Sequence, residues 1–401
     1  MQIAYEQLAL TQQLLQRQDE HAQAIRTYVT SNCNITADLG YLLAALAPLA
    51  ALSVTLGDQA AAALGKLTVA GANAAGATLD SYVEADRAAH DSFTAIAGEI
   101  GGSSEPFADP RDSPPLLSCA SGGPGAGYGE GREWIFGHAY DGIGQAGDVI
   151  GNTIDTATDR VNGWTAGSGG VAERTNPSGF LVAPDPGGAW VQDLRWSAGI
   201  ILGGLDWVAE QFIGFSVLEE SVFKPFGGDW EALNKASIAW GHSGRALMEM
   251  SSNLSALPDQ VDSWEGEASE MFRAAMAALA AATVGLSYAF DYVGGLVGNV
   301  ATVSKLVCTA IGVTLGFIST NLLVIAAEAA VPVIGWAAAA AHIVVVTGYV
   351  ITAVKGVYAL INLILDAIEA FIESKEKLIQ AIFVLEDIVE YSAKASVRAA
   401  G

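Results

Sequence analysis

The side chains best equipped to hold a metal or attack a substrate are five histidines, His21, His90, His138, His242 and His342, and three cysteines, Cys33, Cys119 and Cys308. They are scattered. None falls into a CxxC, HExxH or Cys/His spacing, no GxSxG nucleophile turn is present, and no carboxylate pair is set apart for acid and base roles. Gly125, Gly127 and Gly129 imitate a phosphate loop, but no strand precedes them and no Lys-Ser/Thr pair follows. No catalytic residue, metal ligand or cofactor is therefore expected. The informative spacing belongs to recognition chemistry. Tyr82 and Asp86 stand four residues apart and so share a helix face, displaying a phenol beside a carboxylate. Trp264-Glu265-Gly266 lies between two helical patterns, as the turn of a helical hairpin whose Gly takes the unusual backbone angles and whose Trp plugs the end. His90, four residues beyond Asp86, is expected to bond it locally.

The elements that must position these residues read as helices. Leu8, Leu15, Ala22 and Val29, widened by Ile25, form an apolar stripe on a helix over 3–31. Residues 32–57 read as a loop or short helix, interrupted by Pro48 and ended by Gly57, before a long helix over 58–100. Residues 101–186 are rich in Gly and Pro and read as a linker, with a short helix near 144–161. Trp190, Trp196 and Trp207 with Ile200, Ile201, Leu202, Leu205, Phe212 and Phe215 read as a segment that packs on the second half as core or dips into an interface, with core packing the expectation. Asp229 caps a new helix, which Pro258 stops, and a return helix follows the Trp264–Gly266 turn. The expected architecture is all-α: helical hairpins over 1–100 and 187–298, joined by the linker, then an apolar hairpin and an amphipathic terminal helix over 299–401.

Composition bounds the partners. The 401 residues carry a formal net charge of −24, which excludes a polyanion such as nucleic acid as the partner. Charged residues make up only 15 %, against roughly 25 % in soluble domains, and the mean hydropathy is +0.36. Residues 306–327 and 329–354 hold no charge, and each is long enough to cross a bilayer core of about 30 Å. Lys305 and Lys355 flank them, and Glu328 and Pro332 lie between. Inserted as a hairpin, the pair would leave both lysines on one side; a hairpin buried inside a helical bundle fits the same residues. His342 is then either a functional ionisable group at membrane depth or a hydrogen-bonded core histidine. The first residues lack a basic start and a continuous apolar core, so no Sec-type signal is expected there. A Cys33–Cys119 disulfide is open on sequence grounds.

The segment Ser81-Tyr82-Val83-Glu84-Ala85-Asp86, closing a helical hairpin near residue 100, resembles the secreted ESX-associated proteins of the EspC type. Gly228-Asp229-Trp230-Glu231-Ala232-Leu233, followed by Trp264-Glu265-Gly266-Glu267-Ala268 and Phe272, resembles the WxG family of type VII secretion substrates, characteristic of actinobacteria and associated with virulence. YxxxD first and WxG second on one chain is similar to the EspB type, in which two hairpins imitate paired PE and PPE proteins. The resemblance covers roughly residues 1–100 and 228–298. It implies that Tyr82, Asp86, Trp264 and Gly266 form an export signal read by a type VII secretion ATPase or chaperone. It further implies a Sec-independent route to the exterior or the cell envelope.

The function expected on these readings is a non-catalytic type VII substrate whose C-terminal half meets or enters a membrane, with lipid as a partner. A soluble oligomeric scaffold that binds itself or a WxG-family partner is the second expectation, and a toxin delivery module the third.

Overall fold

The computed structural model describes residues 5–100, 102–125, 128, 170–187, 193–330 and 339–349, and individual positions between 351 and 383. The architecture is all-α. Helix α1 (Tyr5–Asn32) pairs with α2 (Ala47–Glu99), α3 (Gly199–Ile213) is short, and α4 (Trp230–Gln260) pairs with α5 (Glu267–Ala329). Packing of α1 on α4 joins the two hairpins into one elongated bundle.

The core follows the apolar stripes. Leu8, Leu15, Ala22, Ile25 and Val29 of α1 are fully buried, and so are Leu233, Trp240, Leu247 and Leu254 of α4, spaced by sevens. Against them α5 presents Leu286, Phe290, Val293 and Val297, and Trp240 and Phe290 meet edge to face with ring centroids 5.1 Å apart. Asp229 caps α4 as expected, its Oδ1 accepting from the amides of Glu231 and Ala232 at 3.1 and 3.0 Å. Gly266, at φ +118°, turns the chain from α4 into α5, where Glu267 and Glu270 complement the helix start.

Several boundaries differ from the sequence reading. Helix α2 begins at Ala47 rather than at residue 58, because Pro48 occupies its first turn, where a missing N–H costs nothing. Gly57 does not end a segment. It lies inside α2, where a Cβ would come within 2.9 Å of the Trp240 ring. Pro258 likewise sits within the last turn of α4, which continues to Gln260. The boundary drawn at 298/299 falls inside α5, a single helix of 63 residues, about 95 Å long.

The region read as a linker over 101–186 is, in its described parts, a strap packed across α1 and α4. Gln13 of α1 donates to the Pro115 carbonyl at 2.8 Å and accepts from the Leu117 amide at 3.0 Å. Asn253 of α4 accepts from the amides of Arg174 and Thr175 at 3.0 and 3.1 Å and donates to the Thr175 carbonyl at 3.0 Å. Backbone that lacks helix partners is thus satisfied by side chains from the helices beneath. The short helix expected over 144–161 lies outside the described residues, as do Trp190 and His138.

Cys33, Cys119 and Cys308 are free thiols, Cys33 and Cys308 buried and Cys119 exposed, so the Cys33–Cys119 disulfide is not formed.

Candidate functional site

At one end of the bundle, α2 and the α4–α5 turn bring Tyr82 and Trp264 together. The Trp264 indole Nε1 donates to the Tyr82 hydroxyl at 3.4 Å. Trp264 is buried, its ring lies 5.4 Å from that of Phe272, and its carbonyl accepts from Ser269 Oγ at 2.6 Å and Arg273 Nη2 at 3.3 Å. Helix α2 and the first turns of α5 therefore hold Trp264 in place. Asp86, one turn beyond Tyr82, is exposed and accepts from the hydroxyl of Tyr5 at the start of α1. Partial burial and the carboxylate together push the Tyr5 phenol up to about 12, which keeps it a donor at any physiological pH. Gln7 completes the tie, donating to Asp262 Oδ1 at 3.0 Å and accepting from Ser263 Oγ at 2.5 Å.

Around this tip the surface is charged. Arg111 bonds Asp80 at 2.9 Å and Glu84 at 3.2 Å, and its guanidinium holds the Asp109 carboxyl well below the usual carboxylate range. His90 does not bond Asp86. Its Nε2 meets the Glu105 carbonyl at 2.8 Å, and its Nδ1 approaches Asp91 at 3.7 Å. Beyond Val83 the end of α2 leaves the bundle, with Phe93, Ile96 and Ile100 exposed. The tip is therefore a lock between the half-buried Tyr82 and the buried Trp264 beside an accessible Asp86, with Glu265 and Gly266 at the surface and exposed apolar residues of α2 past it.

The second group of residues singled out from the sequence lies at the far end of α5, beginning with Lys305 about 60 Å from Trp264 along the helix axis. There the apolar stretch divides. Val307, Cys308, Gly312 and Gly316 are buried against Phe223, Gly228 and the segment before α3, whereas Val313, Leu322 and Leu323 are exposed. Two described helical regions, Tyr41–Glu99 and Glu267–Ala329, are long and apolar enough to cross a membrane by length and composition, and only 11 % of the apolar window in the second is buried. Helix α6 (Ala339–Tyr349) runs antiparallel to the end of α5, since Phe317 meets Tyr349 with ring centroids 4.7 Å apart and His342 meets both Asn321 and Glu328. His342 Nε2 lies 2.8 Å from Asn321 Oδ1 and its Nδ1 3.3 Å from Glu328 Oε2, a polar trio on an otherwise apolar hairpin. Pro332 lies outside the described residues, and Lys355 is exposed.

Sequence reasoning missed a third cluster. His21 of α1, almost wholly buried, stands 2.7 Å from Ser178 Oγ through Nδ1 and 2.5 Å from Glu173 Oε1 through Nε2. The other Glu173 oxygen accepts from the Ala120 amide at 2.9 Å. Ser178, His21 and Glu173 stand in the order of an acyl-transfer relay, with the ring and the acid enclosed and the serine half-buried. The arrangement ties the two strands of the strap to α1. No signal in the sequence paired these residues, which lie 152 positions apart. Among the described residues, no three His, Cys, Asp or Glu side chains converge as a metal site requires.

No protein-family model, curated protein or solved structure matches the chain.

Proposed function

We propose that this chain is a non-catalytic substrate of a type VII secretion system, recognised at the Tyr82–Trp264 tip and delivering its opposite, apolar end to a membrane. The observation that carries the reading is the 3.4 Å contact between Trp264 and Tyr82, which places the WxG-like turn beside the YxxxD-like helix. A composite signal needs that proximity, because neither motif alone is distinctive. The surroundings support it: Asp86 and Gly266 are accessible, and the projecting end of α2 offers Phe93, Ile96 and Ile100 to an ATPase or chaperone. At the other pole, Val313, Leu322 and Leu323 of α5 and Ile343 and Val344 of α6 are exposed, as apolar side chains at a membrane interaction site would be. The bundle then acts as a handle that keeps this hairpin soluble until it meets lipid.

The test is fractionation of a type VII-competent host expressing the chain or its Tyr82→Ala variant. Wild type in the medium or envelope with the variant retained inside supports the export reading. Equal distribution of the two overturns it, and failure of the purified protein to bind vesicles overturns the membrane half.

A further inference from the structure

Helix α3 is amphipathic in the wrong sense for a soluble protein. Its acids face inward. Asp206, 4 % exposed, accepts from Ser216 Oγ at 2.6 Å and from the Leu218 amide at 2.9 Å, and Glu210 pairs with the buried Arg195 at 2.5 Å. The outward arc is apolar instead: Ile200 is 86 % exposed, Phe212 85 % and Leu205 64 %, with Trp196 and Trp207 each half exposed. Gln211 is the lone polar side chain among the fully exposed positions of the helix. Stretches this hydrophobic normally turn inward, so the expectation of core packing for this segment fails. The ion pairs take the interior place, and among the described residues the apolar face has no partner.

The position of α3 tells what covers that face. The chain entering the helix is seated on two glycines of α5. A Cβ on Gly316 would come within 2.6 Å of the Ala198 carbonyl, and one on Gly312 within 1.8 Å of Ser197 Oγ. Gly316 is also the last buried residue of α5. So α3 starts at the level where α5 leaves the protein interior, close to the exposed Val313 and short of the exposed Leu322 and Leu323. Trp196, Trp207, Phe212, Phe215 and Phe226, in α3 and the segments flanking it, are all about half exposed or more, and aromatic rings gather at a membrane–water boundary. A net charge of −24 sets the surface against anionic headgroups.

We infer that α3 is an in-plane interfacial helix, docking its aromatic face on a zwitterionic bilayer and fixing the level of Gly316 at the headgroup boundary. The inference rests on the membrane half of the proposed function and sharpens it. With residues up to Gly316 held in protein, the arm of α5 that enters lipid runs from Phe317 to Ala329, about 20 Å of helix. That is shorter than the roughly 30 Å hydrocarbon core. The membrane boundary is thus moved from Lys305 to the α3 collar, and the Asn321–His342–Glu328 trio lies below it.

The experiment uses the full chain with Cys119→Ser, which removes its exposed thiol, and an environment-sensitive NBD probe on Phe212→Cys or, separately, Val344→Cys. Phosphatidylcholine vesicles carry a nitroxide either near the headgroup or deep in the acyl chains. Shallow quenching at position 212 with deep quenching at 344 is the expected result. Quenching at 344 without quenching at 212 overturns the collar and leaves the membrane reading intact. Quenching at neither position overturns the reading on which the collar rests. A blue shift at 212 that grows with protein concentration and needs no lipid assigns the face to a second copy and likewise overturns the collar.

Discussion

The Trp264 indole reaches the Tyr82 hydroxyl across 182 residues of sequence, and the contact is one-sided in its energetics. The indole is buried and wedged against Phe272, whereas the phenol oxygen accepts one long hydrogen bond at the bundle edge. Trp264→Ala should therefore cost about 3–5 kcal/mol of stability, as large aromatic truncations do. Tyr82→Phe should cost no more than about 1 kcal/mol. Urea unfolding of the two variants checks the ranking. Export of Tyr82→Phe at the wild-type level would place the signal in the ring rather than in its hydroxyl.

Gly57 offers a cleaner test of packing. Alanine is favoured over glycine in a helix by about 1 kcal/mol, but the new Cβ would press on the Trp240 ring at 2.9 Å. That ring is fixed by Phe290 and cannot swing away. Overpacking of this kind costs about 1–3 kcal/mol, so Gly57→Ala should come out destabilised overall. In a Trp240→Phe background the clash is relieved and the same substitution should become neutral or stabilising. Chemical denaturation of the four proteins closes the cycle.

How far the sequence disclosed this arrangement depends on whether a feature is local. The stripe of α1, the Asp229 cap and the Trp264–Gly266 turn are written in neighbouring residues, and they stand where periodicity and capping put them. Gly57 reads as a breaker because the side chain that requires it, Trp240, comes from another helix. The strap reads as a spacer because its order is supplied by Gln13, His21 and Asn253, polar residues whose partners cannot be inferred from spacing. Helix α3 reads as core for the same reason in reverse. Hydropathy reports that a face avoids water, and only the tertiary placement of Arg195, Asp206 and Glu210 shows which face that is.

Thiol reactivity follows from burial. Cys33 is enclosed, and desolvation pushes its thiol well up, so almost no thiolate forms near neutral pH. Cys308 is also buried, while Cys119 is exposed on the strap. Titration of the native protein with a disulfide reagent at pH 8 should register one rapid equivalent, and unfolding in guanidinium should release two more. Loss of the rapid equivalent in Cys119→Ser assigns it. Raising the pH through the range in which an ordinary thiol ionises should leave Cys33 unreactive, because its folded-state shift keeps it protonated there.

The His21–Glu173 pair holds the strap, and its removal should show locally before it shows globally. The Glu173 side chain has no solvent exposure, so its carboxylate is sustained by His21, by the Ala120 amide, and at longer range by Arg17 at 3.7 Å. His21→Ala deletes the first of these and opens a cavity beside a buried acid. Breaking a buried polar pair from one side costs about 3–5 kcal/mol, and here most of that cost can be avoided by releasing the strap, which lets Glu173 reach water. The α1–α4 packing, built on Leu15, Ala22 and Leu247, does not depend on it. Limited proteolysis of His21→Ala should therefore cut within 116–123 and 172–182 at denaturant concentrations at which helical circular dichroism is unchanged. His21→Ala with Glu173→Leu, which removes the stranded charge as well, should recover part of the protection. Simultaneous loss of the strap and the helical signal in the single variant would mean that the strap is part of the bundle's cooperative core.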